Sequence, residues 1–325
     1  MLSYLCIFIL LIALELFYFY LADHFNIIDK PNLRSSHTHI TLRGGGVIFY
    51  LGMLLYSAFF GVQYGCFLVG LTLISVISFI DDVHSVSNRY RIAVHFLAMF
   101  LMFYQWNILN KEFFWYIIPV LILCTGIINA YNFMDGINGI TGGYSLVILF
   151  SLFLINQQTL FIDNSLLITC VLSLIVFCFF NFRKRAKCFA GDVGSVSIAF
   201  IILFILGKLI LSTGNYLYLL FLAVYGVDTL LTICHRLMLH ENIFEAHRKH
   251  AYQLLANELK ISHVVVSLIY MGIQLIVSLG IIYLPINGWL YATIVLVLLM
   301  LLYILIIRKY YHLHEEYLIQ KQITL

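Results

Sequence analysis

Charge and proline are scarce in this sequence of 325 residues, of which 10% are charged and only three are proline. So little charge excludes an ordinary soluble globular protein, in which about 25% of residues are charged. Hydrophobic residues make up 63% of the chain, and no polar block is long enough to form a separate soluble domain. We therefore expect one integral membrane domain over residues 1–325.

Cysteine pairs and zinc motifs are also absent, and we expect no cleavable signal. The seven cysteines show no paired spacing typical of a disulfide or a metal site. The HExxH pattern of zinc hydrolases is missing. The first apolar run, residues 2–22, has no basic region before it and is too long for a signal peptide. We interpret it as the first membrane span.

Apolar runs of membrane-spanning length recur along the chain. A transmembrane helix needs about 20 mostly apolar residues. We predict an all-α polytopic bundle of about eleven spans, at approximately 2–22, 44–62, 64–80, 92–108, 114–131, 139–156, 164–182, 195–213, 215–234, 263–284 and 288–307.

The loops between these spans differ in charge. Eleven spans would place segments 23–43, 81–91, 132–138, 183–194 and 235–262 on one face, together with the C-terminal tail. All 18 Lys and Arg residues except Lys111 and Lys208 lie on this face. The positive-inside rule makes it cytoplasmic, with the N-terminus outside and the C-terminus inside.

Acidic and histidine residues gather in the loops of the same predicted face. They are Asp81-Asp82, Asp135, Asp192, and His247 with His250. Polar groups that converge at one end of a helical bundle indicate a binding or active site.

The segment 189–195, FAGDVGS, places Asp192 between Gly191 and Gly194 before an apolar run. Glycine lets a backbone approach a ligand closely, and a helix start presents free N–H groups to an anion. A carboxylate here suits a hard cation bound with phosphates. The alternative is that Asp192 only caps a helix.

The segment 129–139, NAYNFMDGING, contains three asparagines at the end of the fifth predicted span. Asn amides can pair with base edges or sugar hydroxyls, and Phe133 could stack on a base. A structural turn is the alternative interpretation.

Basic loops flank these segments. Arg34 and Arg43 precede a glycine-led helix start, an arrangement that suits an anion. Arg248 stands between the two histidines of the last large loop, which favour phosphate oxygens. A positive-inside loop and a solvated surface helix are the respective alternatives.

Other acidic residues need partners. For the adjacent Asp81 and Asp82, Arg89 or Arg91 could serve, and a structural salt bridge is the alternative. Asp228 and Glu15 lie within predicted spans, where an acidic group usually faces a partner or a cavity.

Together these motifs resemble the polyprenyl-phosphate N-acetylhexosamine-1-phosphate transferase family, which includes the phospho-MurNAc-pentapeptide translocases. Asp81-Asp82 resembles the family's acidic pair, 129–139 its Asn-rich DG loop, and 189–195 its F-x-GD-x-GS segment. The last loop, AHRxHxYQ, is most similar to the O-antigen and capsule subgroup, which transfers FucNAc, QuiNAc or GlcNAc phosphates.

The resemblance implies a Mg²⁺-dependent transferase, with Mn²⁺ as an alternative ion, in the bacterial inner membrane. It would move N-acetylhexosamine 1-phosphate from a UDP-sugar to undecaprenyl phosphate on the cytoplasmic face, release UMP, and so initiate cell-envelope polysaccharide synthesis. No nucleic-acid partner is expected, and the oligomeric state is open, with a homodimer among the alternatives.

The same resemblance implies roles for individual residues. Asp192 and Asp135 would bind the metal, and Asp81 or Asp82 would orient or deprotonate the lipid phosphate. The implied catalytic set is Asp81, Asp82, Asp135, His247 and His250, and the implied substrate-binding set is Arg34, Arg43, Asn129, Asn132, Phe133, Asn138 and Arg248.

Two positions depart from the family pattern. Asn138 stands where a second Asp is frequent, and Ile40 and Leu42 replace prolines before the RGG segment. The main rival is a secondary transporter with Glu15 and Asp228 along a pathway, although no internal repeat is present. An intramembrane aspartyl protease fits less well, because Phe189 occupies the first glycine position of its G-x-GD pattern.

Overall fold

The computed structural model describes residues 1–31, 35–109, 114–243, 245 and 247–323. It confirms the all-α bundle, with 77% of the chain helical. The helices are α1 (Leu2–His24), α2 (Val47–Phe60), α3 (Gly65–Val83), α4 (Asn88–Gln105), α5 (Phe114–Met134), α6 (Ile140–Thr159), α7 (Asn164–Asn181), α8 (Gly191–Thr213), α9 (Ala223–Met238), α10 (Ala251–Gln253), α11 (His263–Tyr283) and α12 (Gly288–Ile323). A 3-10 segment, Tyr216–Leu222, precedes α9, and a π-turn, Leu254–Glu258, follows α10.

Each predicted span coincides with a helix, but not all are equally suited to cross a membrane. Within the described residues, nine helical segments are long and apolar enough to do so. The other two predicted spans coincide with α2, which has only 14 residues, and with α4, which opens with the polar sequence Asn88-Arg89-Tyr90-Arg91. The count of eleven spans and the orientation of the termini stay predictions.

Helix α8 lies at the centre of the bundle. In the most apolar stretch of α8, 83% of the residues are buried, whereas the corresponding share is 28% in α1 and in α5. It packs against α2, α3, α5 and α6. A helix that is apolar on all sides is stable inside such a bundle, because its backbone groups form hydrogen bonds within the helix and its side chains contact other helices. The first turn of α8 therefore meets several other elements.

The glycine-rich start of α2 docks against the start of α8. Strands β1 (Ile28–Asp29) and β2 (Thr41–Leu42) pair antiparallel, and the Phe189 N–H donates to the Leu42 carbonyl at 2.8 Å. A Cβ added at Gly46 would lie only 2.2 Å from the Cα of Gly194. Glycine is therefore required where the two backbones approach each other.

The last large loop is fixed to the bundle by α10 and α12. Ala251 and Leu254 form a small apolar cluster with Tyr303 and Ile307 of α12. Glu258 accepts from His314 at 2.8 Å. These contacts hold the histidine-bearing segment against the same end of the bundle as the start of α8.

Candidate active site

Asp82, at the end of α3, caps helix α8. Its side chain is completely buried, and its two carboxylate oxygens accept the backbone N–H groups of Asp192 and Val193, each at 2.9 Å. The cap residue of α8 itself, Ala190, has no side chain that could do this. A carboxylate from another helix therefore satisfies the free N–H groups and offsets the positive end of the helix dipole.

Two arginines connect the acidic residues. Arg43 Nε lies 2.6 Å from Asp82 Oδ1, and Arg43 Nη2 lies 3.6 Å from Asp192 Oδ1. Arg91 Nη1 lies 2.6 Å from Asp81 Oδ2, and Arg91 Nη2 lies 3.5 Å from Asp192 Oδ2. Burial lowers the pKa of Arg43, but Asp82 and Asp192 more than offset this, so the pKa is raised. The Asp192 carboxylate thus faces two cations that an incoming phosphate could also contact.

Asp135 belongs to the same acidic centre. Its Oδ1 accepts the Thr141 hydroxyl at 2.6 Å. Burial raises the pKa of Asp135 to about 7, and the negative charges of Asp192 and Asp82 act in the same direction. Helix α5, which ends one residue before Asp135, packs against α8, whose first turn holds Asp192.

The Asn-rich loop touches the histidine loop. Tyr252 O–H donates to the Phe133 carbonyl at 2.9 Å, and a Cβ added at Gly136 would lie 2.2 Å from the Tyr252 oxygen. The Phe133 ring lies 6.3 Å from the rings of both His247 and His250. Position 136 is thus a glycine because the side chain of Tyr252 fills the space that a Cβ would need.

The two histidines stand side by side, with ring centres 5.0 Å apart. Burial lowers the pKa of His247 to about 3, and the nearby His250, Arg236 and Lys249 act in the same direction. Without a bound anion, His247 is therefore neutral at physiological pH.

The predicted substrate-binding residues differ in their surroundings. Asn138 Nδ2 donates to the carbonyls of Arg183 and Lys184, at 2.9 and 3.2 Å. Arg248 pairs with Glu258 at 3.1 Å. These contacts hold loops in place, and a substrate role for either residue stays a prediction. Among the others, Asn129 and Phe133 are exposed and Asn132 is partly buried, whereas Arg34 lies outside the described residues.

A cleft of about 670 Å³ opens between four loop segments, around residues 36–41, 138, 184–189 and 256–263. Phe189 and Asn138 line it, and these residues belong to the segments that carry Asp192 and Asp135. The Phe189 ring packs edge-on against the His37 ring, at 4.7 Å between centres. The basic residues that line the cleft are His37, His39, Lys184, Arg185, Lys260 and His263.

The sequence interpretation did not assign most of this lining. The only signal for it was the basic run 183–187, which positive-inside bias also explains.

The acidic centre fits a magnesium ion only through some of its carboxylates. Across the described ranges, no three His, Cys, Asp or Glu side chains form a ready-made metal centre. Asp82 does not fit, because backbone N–H groups and Arg43 occupy its oxygens. Asp192 and Asp135 do fit, since Mg²⁺ bound with substrate phosphates commonly uses one or two carboxylates.

Residues 64–210 match the model of glycosyl transferase family 4. This region contains Asp81, Asp82, Asp135 and Asp192. This part of the chain is therefore similar to that family.

Three similar proteins are named as undecaprenyl-phosphate 1-phosphate transferases. The chain is 26% identical over 252 residues to a probable undecaprenyl-phosphate N-acetylglucosaminyl 1-phosphate transferase of Bacillus subtilis, covering 70% of this chain and 69% of the relative. It is 28% identical over 245 residues to the undecaprenyl-phosphate alpha-N-acetylglucosaminyl 1-phosphate transferase of Thermotoga maritima, covering 71% and 74%. The corresponding protein of Escherichia coli K12 is 26% identical over 208 residues, covering 57% and 56%.

Proposed function

We propose that this protein transfers an N-acetylhexosamine 1-phosphate from a UDP-linked donor to undecaprenyl phosphate and releases UMP. The observation that carries the proposal is the position of Asp192, which lies between Arg43 and Arg91 and follows three residues after Phe189, a residue that lines the basic cleft. The names of the relatives supply the acceptor and the type of sugar. The proposed setting is the cytoplasmic face of a bacterial inner membrane, at the first step of an O-antigen, capsule or related polysaccharide.

The cleft is the proposed site of the UDP-sugar. Its volume of about 670 Å³ suits a ligand of this size. Phe189 offers an aromatic ring for the uracil base, and Lys184 and Arg185 offer positive charge for the diphosphate. The donor phosphates would then extend from the cleft toward Asp192 and Asp135.

Asp192 and Asp135 would hold Mg²⁺ at the junction of the cleft and the acidic centre. The ion would supply positive charge that offsets the negative charge developing during phosphoryl transfer. Arg43 and Arg91 would contact phosphate oxygens as well, since both already lie within 4 Å of Asp192.

In the proposed reaction, an oxygen of the lipid phosphate attacks the β-phosphorus of the UDP-sugar. The bond between this phosphorus and the bridging oxygen breaks, and UMP leaves with the electron pair. Asp82 is completely buried where it caps α8, whereas Asp81 accepts the Val86 N–H at 2.7 Å but keeps part of its side chain exposed. Asp81 is therefore the member of the acidic pair that could act on the lipid phosphate. Asp81 is paired with Arg91, which would place a cation beside that phosphate.

The test uses purified protein, undecaprenyl phosphate and a panel of UDP-N-acetylhexosamines, with UMP release as the measurement. We expect release with at least one donor, its loss on chelation of divalent cations and recovery with Mg²⁺. Asp192→Asn should abolish it. The matched control is Asp163→Asn, which alters a helix-capping carboxylate at the start of α7 and should remain active. Full activity of Asp192→Asn would refute the metal role, and no release with any donor would refute the transferase and favour a transporter.

A further inference from the structure

Asp228 is a buried acidic residue in α9 that the proposed reaction does not use. Its Oδ1 accepts the Ala251 N–H at 3.1 Å and the Thr232 hydroxyl at 3.2 Å, and it lies 3.1 Å from His250 Nδ1. Its Oδ2 accepts the Tyr270 hydroxyl at 2.5 Å. Only 4% of the residue is exposed. The carboxylate therefore joins α9, α11 and the start of α10.

These four contacts define the protonation of the histidine. An ionised carboxylate accepts about four hydrogen bonds and donates none. The Ala251 N–H can only donate, and the two hydroxyls are free to donate. The fourth contact is satisfied when His250 carries a hydrogen on Nδ1.

The other ring nitrogen of His250 is left for a ligand. Nε2 is buried and has no hydrogen-bond partner in the described part of the chain. Buried polar atoms are normally paired, and an unpaired one calls for an explanation. The His250 ring lies beside His247 and Phe133, and Phe133 is two residues before Asp135. Nε2 is thus the unpaired polar atom of a ring that lies beside Phe133, in the segment that carries Asp135.

We infer that Asp228 is a positioning residue, which fixes the tautomer and orientation of His250 so that Nε2 contacts a phosphate oxygen of the UDP-sugar. The inference rests on the proposed function for the identity of that ligand. In its doubly protonated form the ring would donate from Nδ1 to the Asp228 carboxylate and from Nε2 to the phosphate oxygen. A carboxylate behind a ligand-binding histidine acts in this way at many metal sites and in catalytic triads.

The kinetic test is a double-mutant cycle. Asp228→Asn should lower kcat/KM for the UDP-sugar by about 10- to 100-fold, the usual effect of losing a residue that orients a ligand. If Asp228 acts through His250, the double variant Asp228→Asn/His250→Gln should be no slower than His250→Gln alone. Losses that multiply in the double variant would show a separate role for Asp228 and overturn the inference.

A control variant separates positioning from general stability. Thr232→Val removes another hydrogen bond to the same Oδ1 without touching His250. It should lower the thermal midpoint but leave kcat/KM within about twofold of wild type, because the histidine keeps its partner. A loss equal to that of Asp228→Asn would mean that stability, not orientation, controls activity.

A spectroscopic test does not depend on turnover. In protein labelled with [¹⁵N]histidine at alkaline pH, where imidazole is neutral, His250 should show a protonated Nδ1 and a bare Nε2. His250→Gln assigns the signal by its loss. A wild-type signal with the hydrogen on Nε2 would overturn the inference without any variant of Asp228. The expected tautomer together with no UMP release would instead leave the positioning intact and refute the proposed function.

Discussion

The backbone N–H of Asp192 donates to Oδ1 of Asp82 at 2.9 Å, across 110 residues of sequence. The acidic pair and the GD segment are therefore parts of one structural unit. Asp82 caps α8 from inside the bundle, whereas Asp81 faces Arg91 and remains partly accessible. Two adjacent carboxylates thus have different tasks, because they point to different sides of the end of α3.

Asp82→Asn should destabilise the protein far more than Asp81→Asn. An amide at position 82 would accept at one oxygen only, and its NH₂ group would face Arg43 or a backbone N–H. Loss of a buried charged hydrogen bond and a helix cap costs about 2–4 kcal/mol. Thermal unfolding of the purified variants in detergent measures the difference.

Asp81→Asn is the matched control, because it changes the neighbouring carboxylate without exposing the start of α8. It should retain the wild-type midpoint within a few degrees and show its defect in UMP release. Equal midpoints for the two variants would contradict the capping role of Asp82.

Gly191→Ala should be poorly tolerated. Gly191 has a φ of +70°, and an added Cβ would lie 2.5 Å from Oδ2 of Asp82. A side chain is strained in this backbone region and would also displace the cap. We expect reduced stability and reduced UMP release, measured by thermal unfolding and by the transferase assay.

Gly226→Ala provides the comparison for this substitution. Gly226 lies within α9, and a Cβ there would meet no atom within 4 Å. Alanine in a helix interior is favoured over glycine by up to about 1 kcal/mol. The variant should be as stable as wild type or more so, and a loss comparable to that of Gly191→Ala would argue against a local cause.

Asn138→Asp, which restores the residue frequent in the resembled family, should weaken this protein. Asn138 Nδ2 donates to two backbone carbonyls of the 183–184 turn, and a carboxylate would face those oxygens without a proton to share. We expect a lower thermal midpoint and a raised KM for the UDP-sugar, because this turn lines the cleft. Asn138→Ala, which removes the donor without adding charge, should be affected less. A more active Asn138→Asp protein would show that the position serves the reaction directly.

Acid should destabilise the protein through His247. Its pKa is lowered from 6.5 to about 3, so the unfolded chain binds a proton that the folded protein does not between these values. By linkage, stability is unaffected above pH 6.5 and falls as the pH drops from 6.5 toward 3. His247→Asn should show a shallower decline, measured as the thermal midpoint against pH. Parallel curves for wild type and variant would contradict the lowered pKa.

The sequence alone accounts well for the bundle. A long apolar run in lipid forms a helix because no water is present to satisfy its backbone groups. Each of the predicted spans coincides with a helix for this reason. The predicted ends of the spans were less accurate where a helix extends past its apolar run. Helix α8 begins at Gly191, four residues before the predicted start at residue 195, and so includes Asp192 in its first turn.

Sequence motifs also indicated the residues that meet at one end of the bundle, since their chemistry suits phosphate and a cation. Their division of labour was decided only by the tertiary structure. That Asp82 caps α8, that Asn138 holds the 183–184 turn and that Asp228 stands behind His250 depend on contacts between distant segments. Such contacts depend on how whole helices pack and rotate against each other, and the local composition of a segment does not determine that geometry.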